Sequence, residues 1–123
     1  MRGEETLVIR RGPGAPASGM WAPLSGRLEP DETEPEAVIR EVLEEVGLEV
    51  KPIRRVWECP TEDGKYTLYW WLAEYSKGDL VIDPLEVSEA KWIRPEEFGA
   101  LEDTFADDRK FYADVFPALQ KED

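Results

Sequence analysis

Histidine and asparagine are both missing from these 123 residues, and cysteine occurs once, as Cys59. Without histidine the chain has no Ser-His-Asp triad, no phosphohistidine chemistry, no His-ligated zinc and no imidazole general base. A lone cysteine forms no internal disulfide, and the apolar-rich surroundings of Cys59 read as those of a packed core thiol. No apolar run is long enough to span a bilayer, and Met1 to Arg10 lacks the apolar stretch and small-residue cleavage site of a secretory signal. The expectation is a soluble, cytoplasmic protein without a membrane partner. Positive charge is also scarce: 15 Lys and Arg stand against 28 Asp and Glu, a formal net charge of −13. That balance argues against a long nucleic acid or an anionic lipid surface as partner, while leaving room for a local basic pocket. Any acid, base or metal ligand must therefore be mostly carboxylate.

What is present suffices for one compact core. With 41% apolar and 11% aromatic residues, the chain is expected to form a single domain over residues 1–123. Thr6 to Arg10 reads as a short strand, and the Gly- and Pro-rich stretch from Gly12 to Gly19 as a loop. Trp21 to Ser25 looks extended. Thr33, Pro35 and Glu36 mark a helix start with a capping box, and Gly47 marks its end. Val50 to Pro60 and Lys65 to Tyr75, rich in β-branched and aromatic residues, flank the turn signal Asp63-Gly64 and predict a long antiparallel hairpin. Ala90 to Arg94 is extended, and Phe111, Val115 and Leu119 have helical spacing within a terminal helix over Phe105 to Leu119. Such a sequence predicts a mixed sheet with helices on its faces.

The chemistry concentrates on the first helix. On a wheel of about 100° per residue, with Glu41 at zero, Glu44 falls near roughly −60° and Glu45 near roughly +40°. Ile39, Val42, Leu43 and Val46 occupy the arc of about 100–200°. Three carboxylates so close in arc repel one another, and a hard divalent cation relieves that repulsion. Mg²⁺ is the natural candidate, because it takes oxygen ligands and bridges carboxylates to phosphates; Mn²⁺ is a substitute. An acidic solvated helix face is the plainer explanation of the same residues.

The surrounding sequence favours the chemical explanation. Gly26, Glu32, Arg40, Glu41, Val42, Glu44, Glu45, Gly47 and Leu48 resemble the Nudix box at every specified position: Gly, five residues, Glu, seven residues, Arg-Glu-aliphatic-any-Glu-Glu-any-Gly-aliphatic. The chain is similar to the Nudix hydrolase (MutT-like) family through the box, residues 26–48, and less specifically through the preceding strand, the hairpin and the SEAKWIRPEEF segment. The resemblance implies an α/β (α+β) fold, an α/β/α sandwich with a mixed β-sheet, here lacking the usual first N-terminal strand. It implies water attack on a phosphorus of a nucleoside diphosphate linked to another moiety. It implies that Glu41, Glu44 and Glu45 bind Mg²⁺, with the Gly26 carbonyl as a further ligand, and that Glu32 and Arg40 orient those glutamates. Family members differ in their general base: Glu41 and Glu45 are candidates within the box, Glu86 and Glu89 in the later loop. The missing first strand leaves a sheet edge either open or covered by a second copy, and a homodimer is the hypothesis.

Arg10, Arg11 and Arg27 flank the site in sequence and carry the guanidinium fork suited to phosphate oxygens. Trp21, Trp57, Tyr69, Trp70 and Trp71 are candidates for a base-stacking surface, although strand aromatics are more often core and at most one or two should touch a base; Trp21 and Tyr66 are the aromatic residues assigned to the substrate. Tyr66 lies 18 residues after Leu48, a spacing that resembles a tyrosine of dinucleoside-polyphosphate hydrolases. Neither the SQPWPFPxS array of NADH-type relatives nor the proline of ADP-ribose hydrolases is found, and Leu24-Ser25-Gly26 stands where many relatives have Pro-Gly-Gly. A small nucleotide is the expected substrate, with nucleoside triphosphate and dinucleoside polyphosphate on equal footing and capped RNA disfavoured by charge. A nucleotide sensor that has lost catalysis is the alternative, which retention of every box glutamate argues against.

Overall fold

A computed structural model describes residues 1–25, 28–60 and 64–122. Gly26, Arg27 and the Asp63 of the turn signal lie outside the described residues. The elements are β1 (Thr6–Arg11), β2 (Trp21–Ala22), α1 (Glu34–Val46), β3 (Glu49–Pro60), β4 (Thr67–Lys77), β5 (Val87–Ile93), a 3₁₀ turn (Pro95–Ala100) and a C-terminal helical run from Ala106 to Glu122. β1 is the centre of a three-stranded antiparallel sheet in the order β2-β1-β5, and β3 and β4 form a separate antiparallel pair. The mixed character expected of the sheet is confined, among the described residues, to one parallel bridge between Trp21 and Thr104. Met1 lies against β4: its ammonium donates to the Ala73 carbonyl, and the Tyr75 amide donates to the Met1 carbonyl at 2.7 Å.

Strand alternation on β1 divides the core in two, because successive side chains point to opposite faces. Leu7 and Ile9 pack with Val42, Val46, Leu48 and Val87 beneath α1. Val8 packs on the other face with Ile93, Phe98, Phe111 and Tyr112, against the C-terminal helices. The sheet is thus sandwiched between helical layers. Cys59 is buried, and burial pushes its thiol pKa up.

α1 forms where its caps predict. Thr33 Oγ1 accepts from the Glu36 amide at 3.3 Å and the Thr33 amide donates to Glu36 Oε1 at 3.1 Å, closing the capping box. Gly47, at φ 75°, ends the helix in the left-handed conformation that glycine adopts without strain. Of the aliphatic arc, Val42 and Val46 are buried, whereas Ile39 and Leu43 remain 41% and 49% exposed. The apolar arc is wider than the strip that β1 and β3 cover.

The terminal helix differs from expectation in its interior. Residues Phe111–Val115 form a π-helical turn between α2 (Ala106–Lys110) and α3 (Phe116–Glu122). The wider turn brings two consecutive aromatic residues into the core together: the Phe111 ring stacks on Trp70 at 4.1 Å and Tyr112 packs on Phe98 at 4.4 Å.

Candidate active site

The carboxylate face of α1 opens onto a cavity of about 370 Å³. Glu41, Glu44 and Glu45 form one side of its lining, and Asp83, Glu86 and Val87 contribute from the segment entering β5. Ile9 and Arg11 of β1 and Ser25 complete the part that bears on chemistry. Arg11 is the basic residue in this lining among the described residues.

Arg40 organises the acids. Its Nε donates to Glu32 Oε2 at 2.7 Å and its Nη2 to Glu32 Oε1 at 2.9 Å, a two-point clamp that fixes the guanidinium plane. From that plane Nη1 donates to Glu41 Oε1 at 2.8 Å and to Glu44 Oε2 at 3.2 Å. The hydrogen bonds from Arg40, followed by that from the Glu29 region of the backbone, hold the Glu32 carboxyl down at about 2. The same partners raise the Arg40 pKa, so this cation stays charged at any physiological pH.

Glu45 is set apart. Burial first, then repulsion by Glu41 and a hydrogen bond with Glu41, push its carboxyl up to about 7, against the smaller opposing effect of Arg11. Its Oε2 is buried and meets no hydrogen-bond partner among the described residues. With Arg40 bonded to Glu41 and Glu44, no group of three acids among the described residues stands converged as a coordination set. The donor set nevertheless suits a hard divalent cation: carboxylate oxygens line one cavity, one of them without a partner among the described residues, on a carboxyl pushed toward neutrality by burial and by its like-charged neighbour.

Arg11 enters the lining from the end of β1. Its Nη2 donates to Ser25 Oγ at 3.3 Å, its guanidinium lies 5.8 Å from the Phe105 ring centre, and its buried Nε meets no partner among the described residues. Asp108, buried in α2, also feels Arg11; burial nevertheless pushes its carboxyl up to about 6.

The structure brings Glu32, Arg40, Glu41, Glu44 and Glu45 together, and it separates other residues that the sequence grouped with them. Glu89 is 58% exposed and pairs with Arg10 at 3.6 Å, and neither lines the cavity. Glu86 and Arg11 do. Trp21 packs at the second core cluster with Lys91 Nζ 4.6 Å from its ring centre, and Tyr66, at 59% exposure, precedes β4; neither belongs to the lining. Asp83 was missed by sequence reasoning. Its signal is the Asp83-Pro84 pair, a turn-initiating dipeptide just before β5.

A NUDIX domain model matches residues 1–115. The chain belongs to the Nudix family. Its fold is the Nudix fold. Over 84 residues, 68% of this chain, it is 40% identical to the NAD-capped RNA hydrolase NudC of Escherichia coli O9:H4 (strain HS). That stretch is 33% of the relative's length, so the chain spans about a third of the curated relatives it matches. The Nudix domain also superposes on the MutT protein from Methanosarcina mazei Go1, with TM-score 0.76 and 26% identity over 96% of this chain and 84% of that one. A C. elegans Ap4A hydrolase binary complex, at TM-score 0.74 and 23% identity over 97% and 89% of the two chains, shares the fold. Nudix enzymes generally need divalent metal ions. No helix among the described residues is long and apolar enough to cross a membrane.

Proposed function

We propose that residues 1–123 act as one cytoplasmic, Mg²⁺-dependent hydrolase of the diphosphate linkage in a small nucleotide, a nucleoside diphosphate joined to another moiety. The observation that carries this reading is one cavity lined by Glu41, Glu44, Glu45, Asp83 and Glu86 together with Arg11. A diphosphate is a negatively charged electrophile. Carboxylates alone repel it, and Arg11 alone does not activate water.

Glu41, Glu44 and Glu45 would hold the cation, with the Gly26 carbonyl as a further ligand. When bound, Mg²⁺ (or Mn²⁺ in its place) supplies neutralisation of phosphate charge and a more acidic water. The protein's own residues do the rest. Glu32 fixes Arg40, and Arg40 keeps the carboxylates of Glu41 and Glu44 oriented while their charges stay satisfied. Glu45, whose carboxyl lies at about 7, gives up its proton near neutral pH and would then be able to help hold the cation. Arg11 offers its guanidinium N–H groups to phosphate oxygens, its Nε meeting no partner among the described residues. A carboxylate then takes the proton of the attacking water: Glu45, Glu41 and Glu86 line the cavity and are better placed for this than Glu89. Arg10, Arg27, Trp21 and Tyr66 are left for the distal part of a larger substrate.

The similarity to an NAD-capped RNA hydrolase supports a diphosphate that joins two nucleosides, so an NAD-like dinucleotide stands beside nucleoside triphosphates and dinucleoside polyphosphates. A net charge of −13 disfavours the RNA body of a capped transcript. Product release from these compounds and from NAD-capped RNA, with and without Mg²⁺, tests the reading; turnover of none of them sinks it.

The homodimer belongs to the same proposal. Among the described residues Met1 covers the outer edge of β4 only at Ala73 to Tyr75, which leaves unpaired backbone groups along the rest of an 11-residue strand. Light scattering is expected to give the mass of two chains, and a single-chain mass at assay concentration refutes it.

A further inference from the structure

Gly12 and Gly14 follow β1, and the backbone of residues 83–86 lies directly on them. The Gly12 amide donates to the Glu86 carbonyl at 2.8 Å and the Gly14 amide to the Leu85 carbonyl at 2.6 Å. A methyl group on Gly12 would stand 2.5 Å from the Leu85 carbonyl oxygen and 2.7 Å from that of Pro84. Those neighbours are backbone atoms, which do not swing aside as a side-chain tip does. At Gly14 the same methyl would meet the Leu85 oxygen at 3.0 Å. Neither glycine has positive φ, so what both supply is room and not conformational freedom.

The segment they receive is braced from within. The Leu85 amide donates to Asp83 Oδ1 at 3.0 Å, and the Glu86 and Val87 amides donate to the Asp83 carbonyl at 3.0 and 2.8 Å. Where the segment joins β5, the ladder with β1 shifts register: Arg10 pairs with Glu89 but Arg11 with Val87, leaving Ser88 as the extra residue of a bulge. The Asp83 hydrogen bonds tie residues 83–87 into one turn. It carries Asp83 and Glu86 into the lining of the carboxylate cavity.

We propose that Gly12 and Gly14 are positioning residues that seat this turn and thereby fix Glu86 at the cavity wall, where its carboxylate works with those of α1. The inference rests on the hydrolase reading above for its kinetic consequence, but its geometric content is independent of that reading. Pushing the turn outward displaces Glu86 while leaving Glu41, Glu44 and Glu45 on their own helix.

The test is a double-mutant cycle on the full chain with Gly12→Ala and Glu86→Gln, read by kcat and by Mn²⁺ affinity from the free-ion spin-resonance signal. Gly12→Ala alone is expected to lower kcat about 100-fold, the size of loss that an ångström-scale misplacement brings, and to weaken Mn²⁺ binding. In the Glu86→Gln background the same change should cost less than about threefold in either readout, because the group it displaces is already gone. Gly99→Ala, whose methyl would meet nothing within 4 Å, should leave both unchanged. Losses that multiply in full across the cycle overturn the proposal, as does a Gly12→Ala protein with native kcat and native Mn²⁺ affinity. If Gly12→Ala does not fold, Gly14→Ala carries the same cycle with a smaller displacement. Absence of turnover in the native chain would sink the hydrolase reading while the Mn²⁺ cycle still decides the role of the glycines.

Discussion

Glu45→Gln is expected to make the metal-free protein more stable and the enzyme inactive. Burial and the neighbouring Glu41 raise the Glu45 carboxyl from an ordinary 4.5 to about 7. A group whose pKa is raised by folding favours the folded state fully below its unfolded pKa, and that advantage is lost as pH climbs through the folded value. For Glu45 the loss therefore accumulates between about pH 4.5 and 7 and is complete at pH 8. At about 1.4 kcal/mol per factor of ten in proton affinity, the interval is worth about 3 kcal/mol. Solvent at the mouth of the cavity screens it to about 1–2 kcal/mol. Glutamine keeps the shape and the hydrogen bond to Glu41 without ever carrying charge. In chelator at pH 8.5 the variant should melt about 4–8 °C above the native chain, by the usual relation of free energy to midpoint for a domain of this size. At pH 5.5, still clear of the sequence pI of about 4.4, most of the difference should disappear. Mg²⁺ should raise the midpoint of the native protein and not that of the variant. Thermal melts at the two pH values decide the matter: a variant less stable than native at pH 8.5, or a difference independent of pH, refutes the reasoning.

Glu86→Gln should reduce kcat by at least about 100-fold while Glu89→Gln, a change at an exposed partner of Arg10, stays within about twofold in the same steady-state assay. Arg11→Lys should raise KM more than it lowers kcat, since a point charge replaces a fork; unchanged KM would remove Arg11 from phosphate binding. Thr33→Ala should cost about 1 kcal/mol by denaturant unfolding, the usual value of such a cap, with no pH dependence between 6 and 9.

α1 was legible because its determinants are local: Thr33, Pro35, Glu36 and Gly47 state its ends, and the spacing of Arg40, Glu41, Glu44 and Glu45 states which charged side chains share a face. The β3–β4 hairpin was legible for a similar reason, its strands appearing as Glu49–Pro60 and Thr67–Lys77. The π turn at Phe111 was not, since it depends on Trp70 and Phe98 arriving from distant elements. Nor could the sequence choose Glu86 over Glu89 or Arg11 over Arg10. Adjacent strand residues take opposite faces, and which face meets the cavity depends here on the register shift at Ser88, a tertiary feature without a local signature. Trp21 illustrates the same limit, its ring packed at the core with Lys91 above it.

If the carboxylates of α1 and the 83–86 turn form a metal-assisted diphosphate hydrolase, turnover depends both on the cation and on the α1 glutamates. Product release from nucleoside triphosphates, dinucleoside polyphosphates and an NAD-type dinucleotide, with Mg²⁺ or with chelator, compares the native chain with Glu44→Gln and Glu45→Gln. Mg²⁺-dependent turnover of one class that falls at least about 100-fold in both variants is the predicted result. Turnover that survives in both variants, or nucleotide binding with no turnover in the native chain, would contradict it.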